Sequence, residues 1–175
     1  DLILKNLIDV KEDGSFRLDM KYFNYCTGLT MTNARFDELF AMKPRASESP
    51  VTQEYMDVAA SIQAVLEEVV VRLATSLCRE YQIGNLCLAG GVALNCVANG
   101  RLLKSKEVEN LWIQPASGDA GGALGAALAT YHHHLGNPRK KRMRDSMKGS
   151  YLGPQFSQQN VEERLTAVGA KYRVL

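Results

Sequence analysis

The sequence predicts an α/β fold in which helices cover a parallel or mixed β-sheet. Two short apolar runs, over 85–89 and 110–113, are typical of buried strands. Each is followed by a helical pattern, over 94–104 and 120–135, and a long helix precedes both. Because helices separate the strands in this α-β-α-β-α order, the strands are expected to run parallel.

The first 50 residues predict a β-hairpin followed by a short helix. Alternating polar and apolar residues over 6–10 and 16–20 flank a turn signal at 12–15, the pattern of two antiparallel strands. Apolar residues at helical spacing then predict a helix over 33–40. These elements are expected to precede the α/β part of the chain.

The clearest single element is a long helix predicted over 51–81. Its apolar residues recur at three- and four-residue steps, and most of its charged residues fall on the opposite side. Thr52 is the expected N-cap and Gly84 the expected stop. A helix of this length is expected to extend along the whole sheet.

The composition is that of a globular protein and argues against a membrane-spanning one. Of 175 residues, 46% are apolar and 23% charged, and a formal net charge of +2 gives no reason to expect a nucleic-acid partner. No apolar run reaches the roughly 20 residues that a bilayer span needs. The four cysteines form no CxxC pair, so reduced thiols and a cytoplasmic location are expected.

A double glycine, Gly90-Gly91, follows the first buried strand and opens a helical segment. Backbone N–H groups at such a junction can bind a phosphate-like anion, because no Cβ blocks its approach and the helix dipole favours negative charge. Asn95, one turn further on, could contact a ribose or a phosphoryl oxygen. The alternatives are a simple tight turn and an Asn95 that only satisfies local backbone groups.

A second glycine-rich turn follows the next strand and contains Asp119, Gly121 and Gly122. Two such turns bracketing one strand predict a nucleotide cleft. Asp119 fits two interpretations, an ordinary helix N-cap or a carboxylate metal ligand. The run His132-His133-His134 is interpreted as a solvated helix end, because adjacent helical residues point about 100° apart and cannot converge on one ion.

The sequence predicts two domains joined by a linker. Residues 1–136 form the first domain, and 137–149 form a basic linker with six Lys and Arg residues against one acid. Residues 150–175 are expected to begin a second domain, with a helix followed by a strand at 171–175. The chain is expected to be a piece of a longer polypeptide, since it begins at Asp1 and ends where a strand is starting.

Several motifs resemble the O-carbamoyltransferases of the nodulation and antibiotic-tailoring type. The resemblance covers most of residues 15–135 and is most specific over 89–100. A weaker likeness, through Gly-Gly-Val-Ala-x-Asn, extends to the proteins that make threonylcarbamoyl-adenosine in tRNA. The matching segments are Phe16-Arg17-Leu18-Asp19, Tyr22-Phe23, Phe36-Asp37-Glu38-Leu39-Phe40, 57–63, 86–100 and 115–123, with Leu152-Gly153-Pro154 beyond them.

The resemblance implies an actin/sugar-kinase-like (ribonuclease H-like) fold. Residues 1–136 would be the second half of the actin-like transferase domain, and 150–175 the start of a YrdC-like domain. The family makes carbamoyladenylate from carbamoyl phosphate and ATP and transfers the carbamoyl group to a substrate hydroxyl beside a metal, usually iron. The partners implied are the missing N-terminal half, the YrdC-like domain, carbamoyl phosphate and a small hydroxyl acceptor.

The resemblance also implies roles for particular residues. Asp119 corresponds to the aspartate that ligates the metal. The nucleotide-contacting positions correspond to Gly90, Gly91, Asn95, Gly121 and Gly122. The family's His-x-x-x-His ligands have no counterpart here, and no general base is identified, so the chain alone is expected to be inactive.

Two other functions remain open on the sequence. One is a sugar-kinase-like phosphotransferase, in which Asp119 would lie near Mg·ATP. The other is a non-catalytic, RNA-associated relative of the threonylcarbamoyl-adenosine proteins, in which the basic run over 139–148 would contact RNA. That run has no interleaved aromatic residues, which favours a solvated linker.

Overall fold

The computed structural model describes residues 1–140, 145, 147–151 and 153–174. The chain divides into two compact units, Asp1–Ala127 and Leu128–Leu175. None of the described helices combines the length and apolar character needed to cross a membrane. In chain order the elements are α1 (Leu2–Asn6), β1 (Ile8–Val10), β2 (Phe16–Leu18), α2 (Ala34–Phe40), α3 (Gln53–Tyr81), β3 (Asn85–Leu88), α4 (Cys96–Leu102), β4 (Asn110–Ile113), α5 (Gly121–Ala129) and α6 (Gln158–Ala167).

The predicted hairpin and short helix are confirmed. Strands β1 and β2 pair antiparallel, with Ile8 opposite Leu18. Gly14 in the turn has a φ of +85°, and a Cβ built there would lie 2.4 Å from the Leu73 nitrogen of α3. Only glycine lets the hairpin turn pack this closely on α3. The α2 helix is capped by Asn33, whose side chain accepts the Arg35 N–H.

The N-terminal elements share a small apolar core. Its buried side chains are Ile3, Leu7 and Tyr22. Partly buried apolar residues from β1, α2, α3 and the segment between β2 and α2 pack against them, and these are Ile8, Phe23, Phe36, Leu39, Phe40 and Val65.

The long helix α3 begins two residues later than predicted and ends at Tyr81, as predicted. Thr52 is its N-cap residue, although its hydroxyl donates to the Glu54 carboxylate at 2.6 Å and accepts no N–H from the first turn of the helix. That hydrogen bond lowers the pKa of Glu54. The stop is Gln82, in a left-handed conformation with φ 52°, and not Gly84.

Gly84 has a different role from the predicted helix stop. Its carbonyl accepts the N–H groups of Glu109 and Asn110 at 2.8 and 3.1 Å, which starts the pairing of β3 with β4. A Cβ at Gly84 would lie 2.6 Å from Glu109 Cγ, so the glycine makes room for a side chain from the neighbouring segment. Gly84 therefore serves the start of strand pairing and not the end of the helix.

Strands β3 and β4 pair parallel, from Asn85 opposite Asn110 to Leu88 opposite Ile113, which confirms the predicted α/β order. One sheet face packs on a core made by α3, α4 and the segment before β4. The buried members of this core are Ala74, Cys78, Leu102 and Val108, with Leu86, Leu88 and Leu111 against them. The alternate side chains, Cys87 and Trp112, are exposed.

The segment after β4 departs from the single helix predicted over 120–135. The α-helix ends at Ala129, and a π-helical turn continues over Thr130–His134. That turn is closed by the Leu135 N–H donating to the Thr130 carbonyl at 2.9 Å.

In the second unit, α6 starts with a reciprocal capping box between Ser157 and Asn160. The chain leaves the helix through Gly169, whose φ is +66°. The strand predicted at 171–175 is not formed by residues 171–174, because no described residue of this unit belongs to a strand that could pair with them. Leu175, Leu152 of the motif at 152–154, and residues 141–144 and 146 of the predicted linker lie outside the described residues.

Candidate functional site

The two glycine-rich turns meet at the carboxyl ends of β3 and β4. Because the strands are parallel, both turns leave the same edge of the sheet, where α/β proteins commonly bind ligands. The Gly90 N–H donates to the Ser117 carbonyl at 2.7 Å and so joins them directly. Turns that are 27 positions apart in the sequence thus form one local structure.

The first turn has an open glycine backbone. Gly90 adopts φ +98° and ψ 164°, which a side chain would disfavour. A Cβ at Gly90 or at Gly91 would meet no other atom within 4 Å. A one-turn 3-10 helix follows over Gly91–Leu94. Since the first N–H groups of a helical turn have no acceptor within it, the Gly91 N–H is the donor best placed for a ligand.

The sequence predicts that the double glycine runs directly into an α-helix, and the structure differs from that prediction. The 3-10 turn intervenes, and α4 begins only at Cys96 with Asn95 as its N-cap. The Asn95 Oδ1 accepts the Ala98 N–H at 3.1 Å. The same amide pairs with Gln63 of α3. The Asn95 side chain therefore satisfies a local backbone group, which was one of the two alternatives that the sequence left open.

Gln63 is a site residue that the sequence analysis did not identify. It lies three and seven positions before Leu66 and Val70, which are half-buried on the inner face of α3. The sequence signal that could have indicated Gln63 is its place as a polar residue among the apolar residues of this helix face. Its partner is 32 positions away in the sequence, so no local pattern could have named it.

A second asparagine, in α4, stabilises the 3-10 turn. Asn99 is buried, and its Nδ2 donates to the Ala93 carbonyl at 2.7 Å. We expect Asn99→Ala to lower the free energy of unfolding by about 2 kcal/mol, because it leaves that buried carbonyl unpaired.

Urea denaturation measures the effect of Asn99→Ala. Asn110→Ala is the matched control, since the Asn110 Nδ2 donates to Asn85 Oδ1 at 2.7 Å on the exposed edge. That variant is expected to stay within about 0.5 kcal/mol of wild type. Equal losses in the two variants would contradict the role given to Asn99.

The second turn uses its own N–H groups internally. The Gly121 N–H donates to the Gly118 carbonyl, and the Gly122 N–H to the Asp119 carbonyl, both at 3.0 Å. A Cβ at Gly121 would lie 1.9 Å from the Ala116 oxygen, whereas one at Gly122 would meet nothing within 4 Å. Gly121 is therefore required by the turn itself, and Gly122 leaves open space beside it.

Ser117 lies at the junction of the two turns and was not singled out by the sequence analysis. The residue is 5% exposed. Its Oγ is buried and has no hydrogen-bond partner among the described residues. A buried hydroxyl without a partner costs about 1–3 kcal/mol, so such groups usually meet a water or a ligand.

Asp119 is exposed at the start of α5. Within the described ranges, no group of three or more His, Cys, Asp or Glu residues could hold a metal ion. His132 Nδ1 lies 2.9 Å from the Asn137 carbonyl oxygen, a contact inside its own turn. The donors described here are thus too few for a transition-metal site, and Asp119 fits only as one ligand among others.

Comparison with known proteins gives consistent matches. A family model described as carbamoyltransferase N-terminus matches residues 1–128. An uncharacterized protein of Synechocystis sp. is 59% identical over 174 residues, which is 98% of this chain and 28% of that protein. Nodulation protein NolO of Bradyrhizobium diazoefficiens is 40% identical over 119 residues, or 68% of this chain and 21% of NolO.

A third relative, nodulation protein NolNO of Sinorhizobium fredii, is 36% identical over 136 residues, which is 78% of this chain and 20% of that protein. The chain thus spans between a fifth and three tenths of the length of these relatives. The match over 1–128 contains both glycine turns and Asp119.

Proposed function

We propose that this chain, which belongs to the carbamoyltransferase family, is part of an ATP-dependent O-carbamoyltransferase. Its membership of the family is shown by the match of residues 1–128 to the family model of the carbamoyltransferase N-terminus. Residues 1–136 would supply the second half of an actin-like transferase domain. Residues 137–149 would be a linker, and 150–175 the start of a YrdC-like domain. The cytoplasmic location expected from the cysteines is part of the same proposal.

The observation that carries the proposal is the junction of the two turns through Gly90 and Ser117, at 2.7 Å. It places an open glycine backbone, a buried hydroxyl and an exposed carboxylate at the carboxyl edge of a parallel sheet. An anion such as the phosphate of an adenylate is the ligand that backbone N–H groups favour there. The first turn would supply the donors, and Gly122 in the second would leave room for the nucleotide.

The proposed reaction is attack by an acceptor hydroxyl on the carbamoyl carbon of carbamoyladenylate. A bond forms between the acceptor oxygen and that carbon, and the bond from the carbon to the phosphate oxygen breaks. AMP leaves with the electron pair, and the hydroxyl proton passes to a base. The first turn would stabilise the charge that grows on the leaving phosphate; the residues described here supply no assigned base.

A metal is part of the proposal only for the longer protein. Iron bound there would polarise a carbonyl or a phosphoryl oxygen. Asp119 would be one of its ligands, and the remaining ligands would come from the part of the protein outside these 175 residues. Asp119 alone cannot hold a transition metal, because such a site needs several converging ligands.

The rest of the longer protein is also the proposed partner of the exposed sheet face. Trp112 is 53% exposed, although it lies on a strand whose other face is packed. The relatives extend over several times the length of this chain. The isolated chain is therefore proposed to bind nucleotide without carrying out carbamoyl transfer from carbamoyl phosphate to a hydroxyl.

Gly91→Val tests the nucleotide site. An added side chain at Gly91 meets open space, so the fold is expected to be kept while the approach of a phosphate is blocked. We expect affinity for AMP and for a non-hydrolysable ATP analogue to fall at least about tenfold, equivalent to about 1.4 kcal/mol. Isothermal titration calorimetry on the 175-residue chain measures it.

Gly100→Val is the matched control for Gly91→Val. It adds the same side chain to α4, where a Cβ would also meet nothing within 4 Å, but away from the turn. Its affinity is expected to equal that of wild type. Unchanged affinity in Gly91→Val, or no binding by wild type, would reject the proposed site in this chain.

A further inference from the structure

A pair of side-chain amides ties α3 to the first glycine turn. The Asn95 Nδ2 donates to the Gln63 Oε1 at 2.8 Å, and the Gln63 Nε2 donates back to the Asn95 Oδ1 at 3.1 Å. Both side chains are half-buried. The two reciprocal hydrogen bonds fix the plane and the direction of each amide.

The direction of this pair is set by a carboxylate on α3. The Gln63 Nε2 also donates to the Glu67 Oε1 at 2.9 Å. A carboxylate only accepts hydrogen bonds, so the amide NH2 group of Gln63 must face Glu67. The Gln63 Oε1 is then left to accept from Asn95. Arg101 of α4 approaches the other Glu67 oxygen at 3.3 Å and holds the carboxylate in place.

Asn95 connects the amide pair to the first glycine turn. Its backbone N–H donates to the Val92 carbonyl at 2.9 Å and closes the 3-10 turn. Its side chain caps α4 through the Ala98 N–H. The residue that Gln63 orients therefore marks both the end of the Gly91–Leu94 turn and the start of the next helix.

We propose that Gln63 is a positioning residue for the nucleotide site, acting through Asn95 on the backbone of the Gly90–Leu94 turn. The proposal rests on the nucleotide binding proposed above. The Ala98 N–H fixes the side of the Asn95 amide that carries the oxygen, and Gln63 adds a second donor to that oxygen and supplies the acceptor for the Asn95 Nδ2. An apolar residue at position 63 would fill the same space but would supply neither, so the Asn95 side chain would be held less firmly.

Gln63→Glu tests this role, because the new side chain has nearly the same shape but no N–H. At pH 7 its carboxylate cannot donate to Asn95 and faces the carboxylate of Glu67. We expect affinity for the non-hydrolysable ATP analogue to fall about tenfold, the size of about one lost hydrogen bond. The backbone amides of Ala93 and Asn95, which donate to the Gly90 and Val92 carbonyls and so close the turn, are expected to exchange with solvent correspondingly faster.

Lowering the pH separates positioning from a purely structural role. At about pH 4.5, near the ordinary pKa of glutamic acid, protonation returns one O–H donor to position 63, and much of the lost affinity is expected to return. The charged group in contact with position 63 is Glu67 on α3, whose other carboxylate oxygen pairs with Arg101 on α4. Gln63→Met, which has no donor at any pH, is expected to bind weakly at both pH values.

Gln53→Glu is the matched control. Gln53 lies on the same helix and donates to the carboxylate four residues on, Asp57, at 2.7 Å, as Gln63 does to Glu67. Its amide has no contact with Asn95. The affinity of each position-63 variant is therefore expressed relative to Gln53→Glu at the same pH, which removes the effect of pH on the nucleotide itself.

The outcomes are distinct. If Gln63→Glu and Gln63→Met match Gln53→Glu in affinity and in exchange at Ala93 and Asn95, Gln63 has no positioning role. If the wild-type chain does not bind the analogue, the proposed function fails in this chain. In that case the exchange rates at Ala93 and Asn95 still decide whether Gln63 orders the turn. Loss of folding in Gln63→Glu leaves the decision to Gln63→Met.

Discussion

Replacing Gly121 with alanine is expected to lower the free energy of unfolding by about 3 kcal/mol, at the upper end of the range for overpacking. The added Cβ would lie 1.9 Å from the Ala116 oxygen and 3.1 Å from its carbonyl carbon. Both are backbone atoms, so no side chain can rotate out of the way. The turn must shift, and the hydrogen bond from Gly121 to Gly118 would be strained with it.

Gly122→Ala is the control, and the opposite sign is expected. It is the second residue of α5, and a Cβ there meets nothing within 4 Å. Alanine should therefore stabilise the helix by up to about 1 kcal/mol. Urea denaturation of both variants provides the comparison. A shift of the same sign in the two neighbours would contradict the packing described for the second turn.

Asp119→Asn is expected to abolish metal binding and carbamoyl transfer in the longer protein. The substitution keeps the shape of the side chain but removes the charge of a ligand. Since loss of even an outer-shell partner costs about 10–100-fold in metal affinity or activity, we expect transfer to fall at least 100-fold. Elemental analysis of the purified protein and a transfer assay from carbamoyl phosphate measure the two effects.

The control for Asp119→Asn is Asp9→Asn, an exposed carboxylate on β1 that pairs with Lys11. It is expected to retain both metal and transfer. In the 175-residue chain, Asp119→Asn should change the free energy of unfolding by less than about 0.5 kcal/mol, because the residue is exposed. Full metal content and turnover in Asp119→Asn would show that this carboxylate is not a ligand.

The sequence was most informative where local patterns decide the structure. Short apolar runs predicted β3 and β4, and helical spacing predicted α3 to within two residues at its start and to the residue at its end. The residue that stops α3 was predicted wrongly, because Gln82 adopts a left-handed conformation that usually belongs to glycine. Gly84 was then free for strand pairing, which sequence spacing does not reveal.

The candidate site was predicted in outline and not in its contacts. Both glycine turns are visible in the sequence, because their residue types are unusual at the end of a strand. The contact of Gln63 with Asn95, and the burial of Ser117, depend on how α3 and β4 pack against the turn. Such long-range contacts follow from the tertiary structure, and no local periodicity encodes them.

Trp112 gives the chain an optical property of its own. It is the only tryptophan of the 175 residues. It lies on the open face of β4, directly opposite Cys87 of β3. An indole in contact with water emits at longer wavelength than one enclosed by protein. The intrinsic fluorescence of this protein therefore reports, without any label, whether that face is wet or covered.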